Sequence, residues 1–179
     1  SSIDTRTEAL VTDGMDKYLD YAMGHNPKNR LPLWVKPNAK ISPKQVFDAM
    51  RDHYEGTPMD MTTDLGAGGH ALPYRWRPMT FEVDGKTYTN ERAIATQQTG
   101  FWFVAQARKN LPDPVGGVIW FGTDDAATSP LTPIYCGSTE IPICLQDGVG
   151  DILTYDDRAM FWITNRIAQF AYLRYDYIG

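Results

Sequence analysis

The chain has 179 residues, a formal net charge of -5 and 12% aromatic residues. Its length and its 42% hydrophobic content predict one globular domain and argue against disorder. The mild negative charge and the lack of a Lys/Arg run argue against a nucleic-acid partner. No apolar stretch approaches the roughly 20 residues that span a bilayer. The sequence therefore predicts a soluble protein with neither a nucleic-acid nor a membrane partner.

The beginning of the chain, SSIDTRTEAL, lacks an initiator Met, a basic segment and an apolar segment. These features predict neither a native start nor a signal peptide, so we expect further sequence upstream. The compartment, cytoplasmic or exported, stays open because any signal would lie in that upstream sequence.

Apolar residues recur at helical spacing in three segments. The first covers residues 12–23. The second has Ser42 as its N-cap and Pro43 at its first helical position, and it is predicted to continue to Gly56. Its apolar face is formed by Val46, Phe47, Met50 and Tyr54. The third helix is predicted over residues 157–175, with an apolar face formed by Met160, Ile163, Ile167, Phe170 and Ala171.

The middle of the chain has the signals of β-structure. Phe81 and Val83 alternate with polar residues, and Asp84-Gly85 predicts the turn of a hairpin. Further strands are predicted at 92–98, 100–107, 116–122 and 131–137, the first two either separate or joined as one strand bent at Gly100. The order of elements predicts an α+β fold, with helices packed on a mostly antiparallel sheet.

No residue has the local surroundings of a catalytic nucleophile. Cys136 has Glu140 nearby in sequence and no His, so we interpret it as a buried strand thiol. Cys144 has still less around it, and two buried thiols are favoured over a disulfide. No serine lies in a G-x-S-x-G elbow.

Metal-site patterns are also missing, so we expect neither a metal nor a cofactor. His25, His53 and His70 are too widely spaced for a zinc motif that needs His at i and i+4. His53 falls on the second predicted helix and is interpreted as a capping or hydrogen-bonded residue. Asp124 and Asp125 follow a predicted strand, and a turn in which they accept from following amides is favoured over a calcium site.

Two segments could bind a polar substrate. Arg75 and Arg77, on either side of Trp76, could clamp a peptide carboxylate or could hold the loop to the hairpin. The predicted strand at 92–98 is unusually polar, and buried amides need partners. Its polar side chains and the next residue are Arg92, Thr96, Gln97, Gln98 and Thr99. A polar site between layers or an exposed sheet edge would explain them.

Taken together, several ordered blocks resemble one family. The blocks are RDHYEGTP at 51–58, YRWRP at 74–78, NERAIATQQTGF at 90–101, GGVIWFGTDDAATS at 116–129 and PIYCG at 133–137, followed by NRIAQFAYLRY in the last helix. They resemble the bacterial broad-specificity cysteine dipeptidases, which are N-terminal-nucleophile hydrolases. The resemblance covers roughly residues 34–175, so residues 1–33 are expected to form a peripheral helical segment beside a family-like part at 34–179.

This resemblance implies a four-layer α-β-β-α core and a nucleophilic cysteine at the amino terminus of the mature enzyme, with no metal. Ser1 does not match that position, so we expect the catalytic cysteine to lie outside this chain. The chain alone is then expected to be inactive, and it would need the missing N-terminal part of the same polypeptide or self-association. Arg92 and Gln98 are the expected substrate-lining residues. Alternatives are a non-catalytic binding module and an amidase for non-peptide amides.

Overall fold

The computed structural model describes residues 14–22, 25–34, 36–57, 59–75, 80–90 and 92–179. The chain divides into two compact units, Ser1–Ala49 and Met50–Gly179. The α-helices within the described ranges are α1 (Leu19–Ala22), α2 (Pro43–Met50), α3 (Asp113–Gly116), α4 (Met160–Leu173) and α5 (Tyr175–Ile178). The strands are β1 (Thr80–Val83), β2 (Lys86–Thr89), β3 (Phe101–Ala107), β4 (Gly117–Thr123) and β5 (Thr132–Tyr135). The fold is therefore α+β, and none of these helices has the length and apolar character to cross a bilayer.

The helix start predicted at Ser42 is confirmed by a reciprocal cap. The Gln45 amide donates to the Ser42 hydroxyl at 3.2 Å, and the Ser42 amide donates to the Gln45 side-chain oxygen at 2.8 Å. This capping box satisfies amides that would otherwise lack partners at the first turn of α2. The first predicted helix is present as a 3₁₀ turn at Met15–Tyr18 followed by α1, while residues 12, 13 and 23 lie outside the described residues.

The predicted end of α2 at Gly56 is wrong, because the helix stops at Met50. Acidic side chains compete for the backbone amides just after it: Asp52 accepts from the Tyr54 amide at 3.0 Å, and Glu55 accepts from the His53 amide at 2.8 Å. Tyr54 has a positive φ of 65°, which a helix cannot contain. Such local bonds from Asp and Glu favour turns over helix, so His53 and Tyr54 lie in a tight loop.

The predicted hairpin is confirmed. β1 and β2 are antiparallel, with Val83 opposite Lys86. Asp84 and Gly85 join them with positive φ values of 51° and 71°, as a two-residue type I′ turn requires. Phe81 and Tyr88 stack across the strands with ring centroids 5.8 Å apart.

A second antiparallel sheet has the strand order β3-β4-β5, so the predictions at 100–107, 116–122 and 131–137 are confirmed. Phe103 lies opposite Phe121, and Ile119 lies opposite Ile134. Trp102 and Val118 are buried on the other face of this sheet.

The predicted strand at 92–98 is wrong. The residues between 92 and 100 form bends and a turn, with the Thr99 amide donating to the Thr96 carbonyl at 3.1 Å. The Ala95 amide donates to the Asp52 carbonyl at 3.1 Å and not to a neighbouring strand. We call residues 92–100 the polar loop.

The helix predicted at 157–175 is present as α4, and its buried side agrees with the prediction at Met160 and Ala171 but differs at other positions. Its buried residues, three or four positions apart, are Met160, Thr164, Ala168 and Ala171. The Thr164 and Thr123 hydroxyls are 2.8 Å apart, which fixes the helix on β4. Ile163 and Phe170, predicted to face the core, are exposed, because the small residues allow the closer approach to the sheet.

Candidate substrate-binding site

The polar loop lines a cavity of about 10 Å³, which is space for one water-sized group. The apolar residues of its lining include Met61, Pro73 and Ala95. The polar residues include Arg92, Thr96 and Gln98. The structure therefore brings Arg92 and Gln98, the two residues expected to line a substrate site, to one cavity.

Hydrogen bonds from two other segments hold the polar loop in place. The hydroxyl of Tyr54, which is 3% exposed, donates to the Arg92 carbonyl at 2.9 Å. The Gln97 side-chain amide donates to the Arg75 carbonyl at 2.9 Å. Together with the bond from Ala95 to Asp52, these contacts fix both ends of the loop, and so they pre-organise the residues between.

Arg75 lines the same cavity but is already occupied. Its guanidinium donates to both carboxylate oxygens of Asp64 at 2.7 Å. It also donates to the carbonyls of Leu72 and Met61, each at 3.1 Å. Arg75 thus holds the loop that follows Met61, and these bonds do not go to the hairpin, to which the structural interpretation assigned it. Arg77 and Trp76 lie outside the described residues.

Arg92 differs from Arg75 in both exposure and pairing. Its side chain is exposed, and no carboxylate of the described residues lies within the 4.0 Å of an ion pair. Gln98 is also exposed at the same cavity. Both residues line the cavity, and guanidinium and amide groups supply donors of the kind that bind a carboxylate.

Behind the polar loop lies a buried carboxylate, Asp125. It accepts a short hydrogen bond from the Tyr74 hydroxyl and a bond of 3.3 Å from the Ala127 amide. The Asp125 amide in turn donates to Asp124 at 2.8 Å. The predicted turn, in which these two aspartates accept from following amides, is confirmed.

Burial raises the pKa values of two groups in the cluster formed by Tyr74, Asp124 and Asp125. It raises the pKa of the Tyr74 hydroxyl, and the negative charge of Asp125 raises that pKa further. Burial also raises the pKa of Asp124, whose other oxygen accepts from the Asn165 side chain at 2.7 Å. The tyrosine is therefore the donor and Asp125 the acceptor.

The cluster reaches the polar loop through aromatic rings. Tyr74 and Tyr172 have ring centroids 4.8 Å apart. Burial raises the pKa of the Tyr172 hydroxyl, while the nearby Gln97 side chain of the polar loop acts to lower it, so Tyr172 of α4 lies beside the polar loop.

His53 is fully buried beside this cluster. Its Nδ1 is 3.0 Å from Glu55 and 3.4 Å from the Tyr175 hydroxyl. It also packs edge-on against the Tyr74 and Tyr175 rings. The interpretation of His53 as a hydrogen-bonded residue is confirmed, although its predicted place on a helix is wrong.

The cysteines do not form part of this site. Both are free thiols, as favoured over a disulfide, but Cys136 is exposed and Cys144 is half-buried, so their predicted burial is wrong. Cys136 follows the last residue of β5, and its amide donates to the Gly117 carbonyl of β4 at 3.1 Å. In the described part of the chain, no three His, Cys, Asp or Glu side chains are grouped as metal ligands.

The sequence interpretation missed Tyr54, Tyr74, Tyr172 and Tyr175 as the residues that support the polar loop. The side-chain hydrogen bonds and ring contacts by which they do so join positions far apart in the chain, such as 54 with 92 and 74 with 125. The available signal was weak, because the quoted blocks 51–58 and 74–78 contain one tyrosine each and the last block contains two.

The sequence profile of peptidase family C69 matches residues 14–178. The chain belongs to this family. It is 24% identical to a probable dipeptidase B of Lactococcus lactis over 84% of its own length. It is 29% identical to a probable dipeptidase of Latilactobacillus sakei over 69% of its length, and 27% identical to a probable dipeptidase of Salmonella dublin over 63% of its length. It spans 28%, 23% and 21% of those proteins. No solved structure matches the chain.

Proposed function

We propose that this chain forms the substrate-binding part of a dipeptidase whose nucleophile is a cysteine outside the chain. Membership of a peptidase family and the dipeptidase names of the relatives support the hydrolysis of peptide bonds. The single observation that carries the assignment of the site is that Arg92 and Gln98 line one cavity on a loop fixed at both ends.

In the proposed reaction, the thiolate of a cysteine at the amino terminus of the mature enzyme attacks the carbonyl carbon of the peptide. Its own α-amino group accepts the thiol proton and then donates a proton to the leaving amine, so that a thioester forms. Water hydrolyses the thioester and releases the second product. The polar loop would hold the charged end of the peptide while the bond is broken.

Neither internal cysteine suits that role. Among the described residues, no imidazole or carboxylate is hydrogen-bonded to Cys136 or Cys144, and an activated thiol needs a base or a cationic neighbour. The Nδ1 of the buried His53 already bonds to Glu55 at 3.0 Å.

We also propose the four-layer α-β-β-α arrangement for the complete enzyme. Phe101, Phe103 and Ile119 point from one face of the β3-β4-β5 sheet and are exposed. Apolar side chains grouped in this way are typical of a surface that packs against further protein. The missing N-terminal part of the polypeptide, or another copy of the chain, would cover it.

The proposal is tested with a panel of dipeptides, assayed on this chain and on a polypeptide that also contains the upstream sequence. We expect turnover only in the longer polypeptide, and no loss of turnover in its Cys136→Ala and Cys144→Ala variants. Turnover by the isolated chain, or loss of turnover in either variant with folding unchanged, would show that the nucleophile lies within these residues.

A further inference from the structure

We propose that the β1-β2 hairpin of one molecule docks into a groove beside β5 of a second copy of this chain. The hairpin contributes its apolar face, formed by Phe81, Val83 and Tyr88. The groove lies between the sheet and the loop at residues 138–145. This inference assigns an interaction surface and its partner, and it does not rest on the proposed dipeptidase function.

The hairpin has an apolar face that is left open to solvent. Phe81 lies directly opposite Tyr88, and Val83 lies opposite Lys86, so these side chains share one face. All residues of both strands are exposed, with Phe81, Val83 and Tyr88 at 47%, 47% and 46%. The opposite face has polar side chains, those of Thr80, Glu82, Thr87 and Thr89. Because a two-stranded hairpin alone is at best marginally stable in water, an open apolar face of this kind indicates a docking surface.

The groove beside β5 has a volume of about 520 Å³. This volume lies in the range of roughly 300–1,000 Å³ that is typical of sites that bury a ligand. Phe121 of β4 and Ile134 of β5 line it, and both belong to the apolar face of the β3-β4-β5 sheet. The loop adds further apolar side chains to the lining, those of Ile141, Pro142 and Leu145. The groove therefore offers an apolar surface for the aromatic side chains of the hairpin.

Hydrogen bonds fix the loop that walls the groove. The Gly137 amide donates to the Pro114 carbonyl at 2.9 Å, and the Gln146 side chain donates to the Ile141 carbonyl at 2.8 Å. A β-carbon at Gly137 would lie 2.6 Å from the Pro114 side chain, so the close approach at this point requires glycine. The groove is thus formed before a partner binds, which reduces the ordering cost of docking.

The two surfaces carry opposite charges. Lys86 lies on the apolar face of the hairpin, and Glu140 is the charged residue of the groove lining. Both side chains are exposed, and neither forms an ion pair with another described residue. The hairpin therefore matches the groove in charge as well as in apolar character.

The hairpin does not fill the groove of its own chain. The groove lining contains no residue of β1 or β2, and the apolar face of the hairpin stays exposed. A second copy supplies the matching surface for each. Stable complexes bury roughly 1,200–2,000 Å² in total, and two identical contacts related by a two-fold axis double the area of one. We therefore expect a symmetric dimer with two hairpin–groove contacts.

The dimer is tested by sedimentation equilibrium of the chain from micromolar to millimolar concentration. Phe81→Ser in the hairpin and Ile141→Ser in the groove should each raise the dissociation constant by roughly 10- to 30-fold, because each removes an apolar side chain from both contacts. Thermal unfolding should show that every variant folds. Ile141→Ser leaves the hairpin untouched, so it tests the interface even if Phe81→Ser disturbs β1.

An exchange of charges tests the contact directly. Lys86→Glu and Glu140→Lys should each weaken the dimer by roughly 10-fold, since an attraction becomes a repulsion at both contacts. The double variant has opposite charges again, and its dissociation constant should return to near the wild-type value. Glu82→Lys, on the polar face of the same hairpin, is the matched control and should leave the dimer unchanged.

Three results would overturn the proposal. The first is a chain that stays monomeric over the whole concentration range. The second is a dimer that Phe81→Ser and Ile141→Ser leave unchanged, because its interface then lies elsewhere. The third is a double charge variant that associates as weakly as the single variants. Each result leaves the dipeptidase proposal intact, since assembly is measured without turnover.

Discussion

The Tyr54 hydroxyl donates a hydrogen bond of 2.9 Å to the carbonyl of Arg92, 38 residues further along the chain. Tyr54 itself is 3% exposed and has a positive φ of 65°. A buried tyrosine in an unusual backbone conformation thus holds the backbone of the polar loop in place at Arg92. The two residues belong to different blocks of the family pattern, which links the first of those blocks to the cavity.

Tyr54→Phe should destabilise the protein by about 1–2 kcal/mol, because the Arg92 carbonyl loses its donor while the ring stays in place. Urea unfolding measures this change. Tyr88→Phe, on the exposed hairpin, is the matched control and should change the free energy of unfolding by less than about 0.5 kcal/mol. Equal effects of the two substitutions would show that the bond to Arg92 does not stabilise the fold.

The bond between Tyr74 and Asp125 should give a measurable coupling. Asp125 is 1% exposed and Tyr74 is 5% exposed, so removal of either partner leaves a polar group buried without its bond. We expect Asp125→Asn and Tyr74→Phe each to cost about 1–3 kcal/mol, and the double variant to cost less than their sum. Strict additivity in the double-mutant cycle would contradict a direct bond.

The lowered pKa of Glu55 predicts a loss of stability in acid. Its burial raises its pKa, but hydrogen bonds from the His53 side chain and backbone outweigh that effect and hold the pKa at about 2, below the ordinary 4.5. Because the pKa is lowered in the folded state, the stabilisation is fully present above pH 4.5 and is lost as the pH falls from 4.5 towards 2.

Glu55→Gln should therefore lower the free energy of unfolding at pH 7 by on the order of 1 kcal/mol, a value reduced by the partial exposure of Glu55. The difference between wild type and variant should shrink across that acid range, as measured by denaturant unfolding at several pH values. A difference that stays constant from pH 7 to pH 2 would rule out the assigned role of the Glu55 charge.

Ala171 tests the close packing of α4. This residue is fully buried on the side of α4 made of small side chains. Ala171→Leu should destabilise the protein by about 1–3 kcal/mol through overpacking, as measured by thermal unfolding. Gln169→Leu, on the exposed side of the same helix, should have little effect. If Ala171→Leu destabilises the protein no more than Gln169→Leu does, the buried side of α4 is not closely packed.

Features that depend on neighbouring residues could be predicted from the sequence. The cap at Ser42 and the turn at Asp84-Gly85 follow from local bonds and local backbone preferences, and both are present as expected. The strands β3, β4 and β5 could be placed for the same reason, because turn residues bound their apolar runs.

The polar loop could not be predicted in this way. Its alternation of polar and apolar residues suggested a strand, but its amides and carbonyls bond to Asp52 and Tyr54, about 40 positions earlier. The sequence alone does not show such distant partners. Arg92 and Gln98 could still be selected, because charged and amide side chains in an otherwise apolar stretch indicate a polar site whatever the backbone does.

The most direct test of the account is an NMR titration of the ¹⁵N-labelled chain with Ala-Ala. We expect the amide shifts to change chiefly in residues 92–98 and at Arg75, with little change in the Arg92→Gln variant. Shift changes centred instead on the Cys136 region, or equal changes in the wild type and in Arg92→Gln, would contradict the assignment of the polar loop as the substrate-binding site.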